Sequence, residues 1–226
     1  MEKLLADLDT VLHESGLSGL SFYRLRVHGD LALSQQLKEG RLPAVPDEAG
    51  CFDLHRQGES YLESAGAKRL SVKHFALTPR ERNLHNELSA YKGACLPFGA
   101  GAGGRLGNYR FKQCSDLKTY AEKVRSGVKP MENAGEFPAD YPLGAKISHQ
   151  LYRSMAVRTA ELESVIPENV RPAVMASLAE TLRKQTDQGY FTDLGSDYRL
   201  TAKGRFFYAS LGSELMEAAA SVWQGA

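Results

Sequence analysis

The sequence predicts an α/β fold in two parts, an α/β layer over residues 1–130 and a smaller helical domain over residues 131–226. Three observations predict it. Strand-like and helix-like patterns follow one another through the first part. A proline-rich stretch without periodicity, "VKPMENAGEFPADYPLG", interrupts them. Beyond it the pattern reads helix, hairpin, helix.

Residues 3–14 carry Leu4, Leu5, Leu8, Val11 and Leu12 at helical spacing, and Gly16 and Gly19 end that helix. "LSFYRLRV" (20–27) alternates Phe22, Arg24 and Arg26 against Tyr23, Leu25 and Val27, which predicts a strand. "GDLALSQQLKEGRLP" predicts a short helix stopped at Gly40 and Pro43. A second helix runs from Pro46 to about Ser64, with Gly66 suited to the residue just past its end. "RLSVKHFAL" (69–77) and "ACLPFGAG" (94–101) predict two more strands, the latter running into a glycine turn, and the order suggests part of a parallel layer. "SDLKTYAEKVRSG" predicts a helix capped by Ser115. In the second part the pattern predicts a helix over 145–165, another from about Pro172, a hairpin in "GYFTDLGSDYRLT" turning at Gly195-Ser196-Asp197, and a last helix from Thr201. Helix, two-stranded ribbon and helix are the outline of a winged-helix unit.

Composition narrows the function classes. The 226 residues are 42% hydrophobic and 24% charged with a net charge of +1, so bulk electrostatics favour neither nucleic acid nor a membrane surface. No apolar run approaches the ~20 residues that span a bilayer, and the acidic residues among the first apolar ones rule out a secretory leader. The expected compartment is the cytoplasm. Cys51, Cys95 and Cys114 lie far apart, which fits neither a disulfide framework nor a CxxC metal site.

The register Gly99-x-Gly101-x-x-Gly104 fits a dinucleotide-binding turn. That turn needs a helix starting at it and an acid ~20 residues on. Here "RLGNYRFK" follows, which alternates like extended chain, so the glycines read as a close backbone approach instead. No Gly-Lys-Ser/Thr follows, so a P-loop is excluded. "HFALTPRERNLHNELSAYKG" gathers His74, Arg80, Arg82, Asn86 and Tyr91 between two strands, where α/β sites form. His74, His85 and Cys95 have spacings that match no standard metal site. In the winged-helix outline Arg171, Arg183 and Lys184 are interleaved with Glu180 and Asp187, and the ribbon carries Asp193 and Asp197 beside Arg199. That is no phosphate-binding stripe.

Several motifs occur in one order: "LSVKHFAL", Asn86-x-x-x-x-Tyr91-x-Gly93, "LPFGAGAGG", "DLKTYAEKVRSG" and "YRLTAKGRFF". In that order the chain resembles the C-terminal half of the oxygen-independent coproporphyrinogen III oxidase family of radical-SAM proteins. "RERNLHN" before "LPFGAGAGG" is similar to its anaerobic heme-utilisation branch, the heme-degrading radical-SAM methyltransferases. The resemblance implies the C-terminal portion of a partial (β/α) barrel followed by a small helical, winged-helix-like domain. It implies S-adenosylmethionine and a [4Fe–4S] cluster as cofactors. Phe98, Gly99, Ala100, Gly101, Ala102 and Gly103 are then the cofactor-side candidates, and His74, Asn86 and Tyr91 border the cavity. Arg80 and Arg82 have the guanidinium chemistry to pair with tetrapyrrole propionates. The family's CxxxCxxC motif is absent, since 44 and 19 residues separate the cysteines. The expectation is a truncated or split product that is inactive alone, with heme or another tetrapyrrole and an N-terminal radical-SAM half in trans as partners. A non-enzymatic heme-binding or interaction module stands second, and a winged-helix DNA-binding protein third.

Overall fold

A computed structural model describes residues 2–27, 29, 31–89 and 94–223. Its elements, in chain order, begin with α1 (Glu2–His13), β1 (Gly19–Ser21), α2 (Ala32–Lys38), α3 (Glu48–Ser64), β2 (Lys68–Arg69) and β3 (His74–Ala76). Next come α4 (Leu84–Ser89), β4 (Gly103–Leu106), β5 (Tyr109–Gln113), α5 (Leu117–Arg125) and β6 (Met131–Glu136). The remainder is α6 (Tyr141–His149), a π-turn (Gln150–Ser154), β7 (Ala156–Arg158), α7 (Thr159–Glu163), α8 (Arg171–Asp187), β8 (Phe191–Asp193), β9 (Asp197–Leu200) and α9 (Ala202–Trp223). This is a mixed α/β fold, as predicted, built around three small sheets.

The parallel layer suggested by the element order is not what these strands form. Every strand pairing among the described residues is antiparallel, in the orders β1-β3-β2, β4-β5-β6 and β7-β9-β8. The reason is local. The stretch 69–77 folds back on itself as a hairpin rather than running through as one strand, because Leu70 and Ser71 both donate their N–H to the His74 carbonyl. The strand predicted over 20–27 pairs only at Gly19–Ser21, extended by the Phe22 N–H to the Lys73 carbonyl at 2.7 Å. The stretch 94–101 contributes one bridge, Cys95 to Arg105, and no strand.

Helix ends follow side-chain chemistry. Asp47 caps α3 by accepting from the Gly50 N–H at 2.8 Å. The cap of α5 is Asp116, not Ser115, because the Asp116 carboxylate accepts the Thr119 N–H at 2.8 Å while Ser115 turns its hydroxyl to Glu132. The helix predicted over 145–165 breaks after His149. Met155 adopts a left-handed φ of 53°, and the buried Gln150 amide bridges to the Arg158 backbone on both sides. Residues 131–136, predicted to begin the second domain, pair with β5 and so complete the preceding sheet.

Two apolar cores result. Leu8, Leu62, Ala67 and Phe75 form the N-terminal one, beneath α1 and α3. The larger one joins Leu143, Ile147 and Leu151 to Leu178, Leu182, Leu211 and Leu215 of α8 and α9. Val72, at the tip of the β2–β3 hairpin, is buried in this second core, and its N–H donates to the Tyr152 carbonyl at 2.8 Å. No described helix is long and apolar enough to cross a membrane.

Candidate functional site

The glycine segment is a compact turn leading into the β4–β5 hairpin. Gly99 and Gly101 have φ values of 98° and 73°, where any side chain is strained. The Gly101 N–H donates to the Cys114 carbonyl, and the Gly99 N–H reaches the Tyr120 hydroxyl at 3.2 Å. Gly104 has a different reason. A Cβ there would stand 2.5 Å from the Cys95 carbonyl oxygen, so this strand passes close to its neighbour. At Gly99 and Gly103 an added Cβ meets nothing within 4 Å. Phe98 is 86% exposed beside this open face. A shallow groove of about 500 Å³ runs along Gly103, Gly104, Phe111 and Asn133.

The loop candidates are brought together in part. The His74 Nδ1 lies 2.8 Å from the Ser21 hydroxyl, and its Nε2 lies 3.2 Å from Glu81. This chain of three groups fixes the imidazole plane. Glu81 is held below the usual carboxylate range, chiefly because the Asn83 N–H donates to it and further because of His74. Asn86 spends its amide on the Asn83 side chain at 2.7 Å and on the Tyr152 hydroxyl at 3.4 Å. Arg80 and Arg82 are exposed. Tyr91 lies outside the described residues.

A further set of residues stands together without having been singled out as a site. Arg24, Arg26, His55, Lys73 and Arg205 line a cavity of about 520 Å³ with Tyr23, Phe206 and Tyr208. Its floor is an ionic cluster. Glu59, with 3% of its side chain exposed, receives Arg69 at 2.6 Å and Arg205 at 2.9 Å. His55 is stacked on Phe22 at 5.3 Å between ring centroids and meets the Phe206 edge at 5.4 Å. Burial holds its pKa below the ordinary imidazole value. Glu59 opposes that effect, and Arg69, Arg205 and Arg24 add to it. The sequence signal was the alternation of Arg24 and Arg26 with Tyr23 and Leu25. Its meeting with α9, some 180 residues later, has no local trace.

No family model matches the chain. It is 31% identical to anaerobilin synthase of Escherichia coli O157:H7 over 211 residues, covering 92% of this chain and 44% of that protein. Its fold matches that of coproporphyrinogen III oxidase from Escherichia coli, a radical SAM enzyme, with a TM-score of 0.71. The chain is a homologue of the C-terminal half of these radical-SAM proteins. The structural match covers 95% of this chain and 51% of the other at 15% identity, so it carries the fold alone. The chain thus spans about half the length of the relatives it matches. The resemblance read from the motif order is borne out.

The fit of the family's cluster turns on the cysteines. Cys51, Cys95 and Cys114 are free thiols, and among the described residues no group of three or more His, Cys, Asp or Glu could hold a metal ion. Cys51 turns its thiol to the Pro46 carbonyl, and the Cys114 sulfur faces Lys123 Nζ. These residues do not fit a [4Fe–4S] cluster. At Gly99 and Gly103 the backbone lies open, with nothing within 4 Å of an added Cβ.

On the C-terminal unit two cations of α8 are paired with acids of the same helix, and the third, Arg171, donates to the Ile166 carbonyl. Arg183 meets Asp187 at 3.1 Å, and Lys184 meets Glu180 at 2.6 Å. They form a self-neutralised face.

Proposed function

We propose that the chain is the C-terminal half of a heme-handling radical-SAM protein working in anaerobic heme breakdown or use. The observation that carries this reading is the 31% identity to anaerobilin synthase over 92% of the chain. In it, Phe98, Gly99, Ala100, Gly101, Ala102 and Gly103 form the face along which S-adenosylmethionine lies. That cofactor, when bound beside a reduced cluster, supplies the radical chemistry. The work of this chain is positional. The left-handed glycines let the loop turn tightly, and Ser21 and Glu81 hold the His74 ring in one orientation. Asn86 ties the loop to Tyr152 of the C-terminal unit. Arg80 and Arg82 offer surface guanidiniums to propionates. Because the three cysteines do not fit a cluster, the chain runs no radical step by itself. A partner half bearing CxxxCxxC provides the cluster. The C-terminal unit, winged-helix-like in its element order, serves as a packing module, since Arg183 and Lys184 of its α8 are already paired and Arg171 is spent on the Ile166 carbonyl.

Heme titration of the chain tests the reading. A Soret shift is expected, weakened in Arg80→Ala/Arg82→Ala if those two guanidiniums carry the propionates. Mixing with a cluster-loaded N-terminal half should give S-adenosylmethionine cleavage that neither half gives alone. No Soret change with or without that half would overturn it.

A further inference from the structure

The cavity between residues 23–26, Lys73 and the start of α9 has the chemistry of a ligand site that no motif announced. Its lining holds Arg24, Arg26, Lys73, Arg205 and His55, and no carboxylate. Charge balance separates these groups. Glu59 and Glu63 answer Arg69 and Arg205 beneath the floor. Arg24 shares Glu48 at 3.7 Å. Arg26 and Lys73 form no ion pair among the described residues. The surplus positive charge therefore sits at the rim of the cavity, on these two residues.

The walls are aromatic. The Lys73 ammonium stands 5.4 Å from the Tyr23 ring centroid and 5.2 Å from that of Tyr208. Arg24 lies over Phe206 at 5.0 Å. Tyr23 and Leu25 are 62% and 61% exposed, a large apolar surface to leave in water. A volume of about 520 Å³ is that of a site for a multi-ring molecule. His55, 7% exposed, turns its Nδ1 toward Glu59 at 3.8 Å, so it belongs to the ionic cluster of the floor and leaves Arg26 and Lys73 as the cations that can meet a ligand.

We infer that this cavity binds a planar aromatic polycarboxylate, stacking its rings between Tyr23, Tyr208 and Phe206 and pairing its carboxylates with Arg26 and Lys73. Resting on the heme-handling reading above, the ligand class is a tetrapyrrole whose propionates reach Arg26 and Lys73. Arginine takes a carboxylate through two parallel N–H bonds and lysine takes one as a point charge. A propionate-bearing macrocycle meets both.

The test measures quenching of protein fluorescence by three probes on the full chain: protoporphyrin IX, its dimethyl ester, and pyrenetetrasulfonate. Arg26→Gln/Lys73→Gln should weaken protoporphyrin IX binding about tenfold or more, the effect of losing two charge-assisted contacts. The ester should bind the wild type no better than the variant does. Far-ultraviolet circular dichroism checks that the variant folds. If protoporphyrin IX binds equally well to the Arg26→Gln/Lys73→Gln variant, this inference falls and the heme reading stands. If pyrenetetrasulfonate binds through Arg26 and Lys73 but protoporphyrin IX does not bind, the cavity remains a polyanion site and the tetrapyrrole assignment falls. If no probe binds, both fall.

Discussion

The carboxylate of Glu59 and the guanidinium of Arg205 meet at 2.9 Å across 146 residues of chain. Glu59 lies on α3 and Arg205 on α9, so this pair joins the two cores at a point shielded from water. Removing one member of such a pair leaves the other buried and uncompensated, at a cost of roughly 3–5 kcal/mol. Glu59→Gln should lose stability of that order in urea unfolding, since Arg69 and Arg205 both lose their buried acceptor. Arg205→Met should lose less, because Arg205 is more exposed and Arg69 still neutralises Glu59.

Acid should loosen the same region. The folded pKa of His55 lies below its ordinary 6.5, chiefly through burial. A base with a depressed folded pKa binds its proton more readily when unfolded. Its contribution to stability is therefore complete above about pH 6.5 and is lost as the pH falls from there through the folded value. Burial lowers His149 as well, against the pull of Glu161, so two residues add to the slope. His55→Phe keeps a ring between Phe22 and Phe206 and should flatten the loss of thermal stability between pH 7.5 and 5.5 in part. A slope unchanged by His55→Phe would assign all of it elsewhere.

Two neighbouring glycines should behave in opposite ways. Gly104→Ala drives a Cβ to 2.5 Å from the Cys95 carbonyl and 2.6 Å from Pro97, and should cost about 1–3 kcal/mol. Gly103→Ala meets nothing within 4 Å and should stay within about 0.5 kcal/mol. Thermal melts of the two variants separate a packing glycine from one with open space above it. If S-adenosylmethionine lies on this face, Gly103→Ala should weaken its binding while leaving the melt in place.

Gly204 is tighter still. A Cβ there would reach the Tyr190 carbonyl, at 2.0 Å, where the β8–β9 hairpin crosses the start of α9. Gly204→Ala should cost more than Gly104→Ala in the same melt, because the backbone carbonyl in its way stands closer than the one at Gly104.

The last two glycines show what the sequence carried. "TAKGRFF" could be recognised as a motif, and its physical reasons are local: Thr201 accepts the Gly204 N–H at 3.0 Å, and Gly204 lets the hairpin approach. Helices α3, α8 and α9 were legible for the same kind of reason, since periodicity and end signals lie within the element. Strand partners were not. The pattern of "RLSVKHFAL" suits a strand on either side of a turn, and only the paired carbonyl of His74 makes it a hairpin. Met155 reads as an ordinary helical residue, yet its left-handed backbone ends the π-turn and lets β7 begin. The loop candidates His74 and Asn86 were legible as a polar cluster, whereas the Arg26 and Lys73 cavity was not. Its walls come from four separate stretches of chain, and no short window holds more than two of its cations.

Val72 gives that cavity a particular character. Its side chain, 1% exposed, is a peg from the N-terminal hairpin sunk into the C-terminal core, one residue before Lys73. The two walls cannot swing apart without withdrawing it and opening an apolar hole. A ligand entering between them meets a socket already set, and spends little of its interaction energy on ordering the protein around it.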